Sequence, residues 1–356
     1  MTYPRLVAFA VIVAIGLLAQ ALPATGQTQA QDADASTAYE PPRMPDGRPD
    51  LQGFWTTQTF TPLQRPEHLA DKAFFTEEET AELQAQLTAE GVDPLAGGAI
   101  NIEDPEERDQ VLYQENRDRT GYIHYDNELW LRTPVPKGLS TRRTSLVVDP
   151  PNGRIPPTNA QAEQRASERR AAREGRGQFD GHELRPLAER CLVWPHNGPP
   201  MLPPAYNDIH QIFQTEDYVV IFTELNTNPP RIIPTNGLPP MSDKIRLYPG
   251  DSRGRWDGDT LVVETSHYND KGRWRGSSDQ LRAVERFTRV SDTEIRYEWT
   301  VTDPATWNVP WSVEIPMVTT EGPMYEYACH EGNYDIRHIL EIYRNIEAQE
   351  AAGERR

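Results

Sequence analysis

Two histidines and two glutamates are the residues of this sequence best suited to acid–base chemistry. His330 and Glu331 follow a cysteine near the end of the chain, whereas His210 and Glu224 lie in two apolar segments of strand-like composition. Histidine is the side chain whose ordinary pKa lies nearest neutrality, so it can accept and donate a proton at neutral pH. A glutamate among apolar neighbours is expected to have a raised pKa, because burial disfavours its charged form. These four are the predicted catalytic residues; the alternative for each histidine is a structural hydrogen-bonding role.

A second group of polar and aromatic residues is predicted to bind a ligand. They lie in or beside segments rich in proline and glycine, and such loops often carry function. An arginine that points inward would bind a ligand carboxylate, and the alternative is that it pairs with an aspartate and stacks on a tryptophan. The predicted ligand-binding residues are Trp194, His196, Tyr206, Asn207, Arg253, Arg255 and Asn333.

The sequence predicts no organic cofactor and favours no metal. There is no glycine-rich loop after a strand, no phosphate-binding loop and no haem attachment pair. A metal at Cys329, His330 and Glu331 is the less favoured alternative, since His330 and Glu331 would point to opposite faces of a strand over residues 324–331. Zinc would need His196 or His210 to be brought in by the fold. Ser252, in a Gly-Asp-Ser triplet, is not predicted to be a nucleophile, because no helix follows it.

The first 26 residues have the form of an export signal. Arg5 precedes an apolar run too short to span a bilayer, and residues 24–26 form a small-x-small cleavage site. The alternative is an N-terminal membrane anchor. The rest of the chain is expected to be periplasmic or secreted, with no membrane span. Its net charge of −18 becomes −19 without Arg5, the only charged residue of that segment, which argues against nucleic acid or anionic membrane as a partner.

The two cysteines, Cys191 and Cys329, are predicted to form a disulfide bond. Disulfides persist in exported proteins. The alternative is a pair of buried free thiols. A bond would join the proline-rich loop over residues 191–207 to the segment that carries His330, Glu331 and Asn333. The predicted catalytic and ligand-binding groups would then share one rim.

These residues must be positioned by a mainly β fold. With 32 prolines, 23 glycines and many short apolar segments, the sequence predicts an antiparallel β-barrel (lipocalin-like) or a sandwich, with a few peripheral helices and long proline-rich loops. Gly53-x-Trp55 is typical of the first strand of lipocalin-like barrels. Strands are predicted over residues 51–60, 144–149, 154–156, 209–214, 218–225, 231–234, 245–248, 260–265, 281–290, 294–302, 311–318 and 324–330.

The predicted organisation has five parts. Residues 1–26 are the signal, 27–43 a disordered linker, 44–190 strands, loops and surface helices that pack on the core, 191–336 the antiparallel core, and 337–356 a C-terminal helix and tail. Helices are predicted after a capping box at Thr76, over residues 160–174 and over residues 337–350. The last helix has an apolar face suited to covering a barrel edge or mouth.

Six segments together resemble a family of exported, largely uncharacterised bacterial proteins. They are PDGRPDLQGFW (45–55), RRTSLVVDPPNGRIP (142–156), GPPMLPPAYN (198–207), GDSRGRWDGDTLVVET (250–265), DPATW (303–307) and YEYACHEGNY (325–334). The resemblance implies export and no particular activity. The chain departs from the family pattern over residues 228–240, where relatives tend to carry Asp-Ala-Arg. If that loop lines a site, the ligand of this chain differs from theirs.

The residues therefore favour an exported, cofactor-independent enzyme. It would perform acid–base chemistry of the lyase, isomerase or hydrolase type on a small aromatic or carboxylate-bearing molecule. The alternative is a non-catalytic β-barrel that binds a small apolar or aromatic ligand. A structural role in a cell-envelope assembly is also open, and the sequence does not predict an oligomeric state.

Overall fold

The computed structural model describes residues 39–89, 92, 98–112, 138–194, 197–203, 209–224, 230–272, 274–321 and 324–353. The chain divides into two units, residues 1–39 and 40–356, and every element named below belongs to the second. The predicted signal and most of the predicted linker lie outside the described residues. Arg43, assigned to that linker, forms an ion pair with Asp259, so defined contacts begin before residue 44.

Ten strands and four helices make up the described part of the chain. The strands are β1 (Gly53–Thr56), β2 (Val147–Asp149), β3 (Ile209–Gln214), β4 (Tyr218–Thr223), β5 (Arg231–Pro234), β6 (Asp251–Asp257), β7 (Thr260–Ser266), β8 (Arg282–Arg289), β9 (Glu294–Thr302) and β10 (Trp311–Thr319). The helices are α1 (Glu77–Leu87), α2 (Pro105–Leu112), α3 (Ala160–Ala171) and α4 (Asp335–Ala351).

Nine of the strands form an antiparallel β-barrel that is nearly closed. Their order is β5-β4-β3-β1-β10-β9-β8-β7-β6, and β2 pairs with β10 off this path. The barrel alternative of the predicted fold is therefore confirmed. Alternation along the strands gives the barrel its core: Tyr297, Trp299 and Val301 on β9 are each at most 1% exposed, and the residues between them are more exposed.

The barrel closes where β5 meets β6, and this contact differs from all the others. Nine strands cannot form a ring in which every neighbour is antiparallel, so β5 and β6 must run in the same direction. Arg231 of β5 contacts Ser252 of β6, and Ile233 lies beside Gly254, which is the constant offset of a parallel pair. A parallel pair needs a long return connection, which residues 235–250 provide.

Gly254 permits the close approach of β5 to β6. A Cβ atom there would lie 3.0 Å from Cγ2 of Ile233 and 2.9 Å from Cγ2 of Thr235. Both distances are too short for ordinary carbon contacts. The glycine is therefore needed for steric reasons at the closing contact of the barrel.

Helices α1, α3 and α4 begin close to where the sequence predicts. Thr76 Oγ1 accepts a hydrogen bond from the Glu79 amide and the Glu79 carboxylate accepts one from the Thr76 amide, so the predicted capping box is confirmed. Helix α4 has no fully buried residue. Its Tyr343 stacks on Phe179 with ring centroids 4.4 Å apart, so its apolar face packs on the segment that follows α3. None of the helices among the described residues is long and apolar enough to cross a membrane.

Three predicted strands are wrong. Residues 245–248 contribute only an isolated bridge between Leu247 and Tyr268, because they belong to the return connection before β6. Residues 154–156 and 324–330 contain no strand. The strand over 324–330 has no place in the sheet, since β9 pairs with one edge of β10 while β1 and β2 share the other.

Candidate functional site

The disulfide bond between Cys191 and Cys329 is confirmed. The sulfur atoms are 1.98 Å apart and the Cα atoms 5.8 Å. Asn333 lies against this bond: its Nδ2 donates a hydrogen bond to the Cys329 carbonyl at 2.8 Å and lies 3.2 Å from the Cys191 sulfur. Gly332, with a φ of +66°, makes the turn that brings Asn333 back to the cysteine.

Four of the predicted site residues lie around this bond. Trp194 packs edge to face against Tyr327, with centroids 6.3 Å apart. His330 and Glu331 directly follow Cys329 and are exposed. We call Trp194, His330, Glu331 and Asn333 the disulfide rim. Three further predicted members, His196, Tyr206 and Asn207, lie outside the described residues.

His210, on β3, and Glu224, directly after β4, are both buried. The two ring nitrogens of His210 lie 3.0 Å from the Thr223 hydroxyl and 3.4 Å from the Thr57 hydroxyl. Burial lowers the pKa of His210 to about 4, so the ring is neutral at neutral pH. The Glu224 amide donates to the Ile209 carbonyl at 2.8 Å. These residues are buried and the disulfide rim is exposed, so the predicted catalytic residues divide between two environments.

Neither Arg253 nor Arg255 points into the barrel. Alternation along β6 directs Ser252 and Trp256 inward, which leaves the two arginines on the outer face. Arg253 bonds the Asp251 carboxylate at 2.5 Å and the Pro239 carbonyl at 2.9 Å. Arg255 lies 3.5 Å from Glu264 with both side chains more than half exposed. Arg253 therefore has the aspartate partner of the alternative to ligand binding, but it has this partner on the outer face of the barrel.

The barrel interior contains an ion pair that the sequence analysis does not predict. The guanidinium of Arg231 donates to both carboxylate oxygens of Glu285, through Nη1 at 2.9 Å and through Nη2. It also donates to the Ser252 and Thr265 hydroxyls at 3.0 Å each. The Tyr297 hydroxyl donates to Glu285 at 2.6 Å. The charges of both partners are therefore compensated by hydrogen bonds inside the barrel.

Burial and this ion pair fix the protonation states of the interior. Burial is the largest single influence and lowers the pKa of Arg231, but the charge and hydrogen bonds of Glu285, together with Tyr297 and Tyr268, raise it, so the pKa lies above its ordinary value. The pKa of Tyr297 is raised well above its ordinary value by burial and by the same carboxylate. Burial likewise raises the pKa of Tyr268. All three residues keep their protons at neutral pH.

Residues 197–203, which we call the plug, cover this network. The Met201 amide donates to the Tyr297 hydroxyl at 2.8 Å, and the Trp299 indole donates to the Met201 carbonyl at 3.1 Å. The Tyr268 hydroxyl donates to the Pro199 carbonyl at 3.0 Å. Two side chains of β9 and Tyr268, which follows β7, thus hold the plug through its backbone. The plug begins six residues after Cys191, so the disulfide restrains one end of it.

Four tryptophans pack together beside the plug, and we call them the tryptophan cluster. The rings of Trp274 and Trp311 are nearly parallel, with centroids 5.7 Å apart. Trp299 contacts both, and Trp307 packs edge to face on Trp311. Trp311 is fully buried, whereas Trp274 is partly exposed and lies on the segment between β7 and β8.

The cluster contains two buried hydrogen-bond donors that lack an acceptor. Within the described residues, the indole nitrogens of Trp274 and Trp311 are buried and have no partner. The nitrogen of Trp299, by contrast, is used by the plug. Buried donors are normally satisfied, so these two neighbouring indole nitrogens are exceptions.

The described residues contain no cluster of three or more His, Cys, Asp or Glu side chains that could hold a metal ion.

The strands and the plug together define a plugged antiparallel β-barrel. No protein-family model, curated protein or solved structure matches this chain.

Some of what the sequence analysis missed had a signal in the sequence. Trp307 lies in a family-like segment, and Trp274 lies in the second of two Gly-Arg-Trp triplets. Inward alternation on β8 and β9 places Glu285 with Phe287 and Tyr297, and an inward carboxylate requires a cation. Arg231 had no comparable signal, because its pairing partner lies across the closing contact of the barrel.

Proposed function

We propose that the protein is an exported barrel that binds a small molecule at the tryptophan cluster. The observation that carries this proposal is the pair of buried, unpartnered indole N–H groups of Trp274 and Trp311. Leaving such a donor unsatisfied costs about 1–3 kcal/mol, so an acceptor from a ligand would be bound favourably by each. The partly exposed ring of Trp274 gives this site its access to solvent.

The ligand class follows from the groups that the cluster presents. The face of an indole ring stacks on other aromatic rings, and its N–H group can donate a hydrogen bond but cannot accept one. The ligand is therefore a small aromatic molecule that carries a carboxylate or carbonyl oxygen. This ligand class is the one that the sequence favours, but the proposed site is the tryptophan cluster and not the disulfide rim.

Binding is a better conclusion than catalysis for the barrel interior. His210 is neutral and engaged by two threonines, and Arg231, Glu285 and Tyr297 satisfy one another. A general base must reach the proton that it abstracts. These groups instead bond to their own neighbours, which supports a structural role.

Export is part of the proposal. The N-terminal segment of signal-like composition and the disulfide bond support it, as does the resemblance to exported bacterial proteins. Fractionation of a bacterial culture that expresses the full chain tests it. A full-length product retained in the cytoplasm would contradict export.

Binding is tested by titrating the protein with benzoate while tryptophan fluorescence is followed. Wild-type protein is expected to show a saturable change. Trp274→Phe keeps an aromatic ring but removes one donor, so its affinity should fall about tenfold. Trp256→Phe is the matched control, because Trp256 also has a buried, unpartnered indole nitrogen but lies outside the cluster. Equal affinities in the two variants would contradict the proposal.

A second candidate function rests on the disulfide rim. The bond brings an aromatic ring, an amide, an imidazole and a carboxylate together through Trp194, Asn333, His330 and Glu331. Such a set suits proton transfer on a small molecule. His330→Ala should then abolish turnover while leaving the melting temperature unchanged, since His330 is exposed. A lowered melting temperature with normal ligand handling would contradict a catalytic His330.

A further inference from the structure

A surface cleft outside the barrel has the features of a second binding site. Its volume is about 230 Å³, and its lining comes from the segment before α1, from α1 itself and from the region of α2. None of the lining residues belongs to a barrel strand. They are His68, Leu69, Lys72, Phe75, Glu79, Glu82, Leu83, Gln86, Ile100 and Arg108.

The floor of the cleft is apolar. Phe75 and Ile100 are buried, and Leu69 and Leu83 pack against the same small hydrophobic cluster. Ligand sites for drug-sized molecules usually measure about 300–1,000 Å³, so this cleft suits a smaller molecule with an apolar part.

The lining carries both signs of charge, and its Glu82 and Arg108 form no ion pair with each other. Lys72 bonds Glu79, which also accepts the capping hydrogen bond of α1. Arg108 donates through Nε and Nη2 to the backbone carbonyl of Ile102. Glu82, one helical turn after Glu79, forms no ion pair with any cation among the described residues.

We propose that this cleft binds a small zwitterion with an apolar side chain. The ammonium group of the ligand pairs with the Glu82 carboxylate. Its carboxylate pairs with the Arg108 guanidinium, whose Nη1 has no acceptor in the described part of the chain, and its side chain packs on the apolar floor. A free apolar amino acid and a short dipeptide share this chemistry.

The proposal is tested by calorimetric titration of the full chain with L-leucine and with alanyl-leucine, which are zwitterions with an apolar side chain but no aromatic ring for the tryptophan cluster. At least one of them should bind with a saturable isotherm, and the tighter of the two identifies the source. N-acetyl-leucine lacks the ammonium group and should bind at least tenfold more weakly. No binding of either zwitterion, or equal binding of the acetylated compound, would overturn the proposal.

Variants separate this site from a nonspecific surface effect. Glu82→Gln should weaken zwitterion binding about tenfold, and Arg108→Lys should weaken it while keeping the charge. Glu78→Gln is the matched control, because Glu78 lies exposed on the same helix but does not line the cleft. Glu82 is also exposed, so neither glutamine variant should change the melting temperature. Glu82→Gln protein that binds as tightly as the control would overturn the assignment. Benzoate binding at the tryptophan cluster is unaffected by either result.

Discussion

Arg231 and Glu285 form a two-point ion pair across the barrel interior, although their strands are not neighbours. Arg231 lies on β5 and Glu285 on β8, and β6 and β7 lie between these two strands on the side of the barrel where β5 contacts β6. Ser252 of β6 and Thr265 of β7 bond the same guanidinium. One side chain therefore connects β5 to the three strands on the other side of the parallel closing contact. At the contact of β5 with β6, this side-chain network links the strands, as backbone hydrogen bonds link the other neighbouring strands of the barrel.

Removal of one partner of this pair should strongly destabilise the protein. Arg231→Met leaves Glu285 buried and uncompensated, which typically costs about 3–5 kcal/mol. Arg255→Met is the control, since the Arg255–Glu264 pair is exposed and such pairs contribute about 0–1 kcal/mol. Urea unfolding measures both free energies. Equal losses in the two variants would contradict the role of the buried pair.

Substitution of Gly254 should separate β5 from β6. Gly254→Val places side-chain atoms where Ile233 and Thr235 already lie, and overpacking of this kind costs about 1–3 kcal/mol. Gly98→Ala is the comparison, because nothing lies within 4 Å of a Cβ atom at that position. Thermal unfolding followed by circular dichroism reports the difference. A valine variant as stable as wild type would show that the two strands are not in close contact.

Reduction of the disulfide bond should lower the stability of the protein while the barrel strands remain folded. The bond joins residues 138 apart, and closing a loop of that length stabilises by about 4–5 kcal/mol in the chain-entropy treatment. The melting temperature should therefore fall in the presence of a reductant. Cys191→Ser/Cys329→Ser protein should match the reduced protein and no longer respond to the reductant. A response that persists in the double variant would contradict this explanation.

His210 should make stability depend on pH in the acidic range. Its pKa in the folded protein, about 4, lies below the ordinary value of 6.5, so the unfolded chain binds a proton more readily. The contribution is fully present above about pH 6.5 and is lost as the pH falls towards 4. The shift corresponds to about 3 kcal/mol. The free energy of unfolding, measured with urea between pH 4 and 7, should depend less steeply on pH in His210→Gln than in wild type. An equally steep dependence in the two proteins would contradict this role of His210.

The sequence was informative about strands whose pattern is local. Alternation over residues 294–302 and 311–318 predicts β9 and β10 almost to the residue. The strand over residues 324–330 fails for a different reason. Its composition suits a strand, but both edges of β10 are already occupied.

The candidate site was less predictable, because it depends on contacts between distant segments. Two cysteines in a chain with a signal-like segment were enough to predict the disulfide bond and thus the grouping of Trp194 with Asn333. The parallel contact of β5 with β6 follows only from counting the strands of the finished barrel. The pairing of Arg231 with Glu285 depends on that contact, so it could not be derived from local pattern.

The central claim, that the tryptophan cluster binds a ligand oxygen, is tested most directly by the indole N–H signals of ¹⁵N-labelled protein. The chain has eight tryptophans, and Trp274→Phe and Trp311→Phe assign the two relevant signals by their loss. Addition of benzoate should move both signals, with saturation at the concentration that saturates the fluorescence change, and should leave the Trp256 signal in place. Saturable binding of benzoate with the Trp274 and Trp311 signals unmoved would contradict the account.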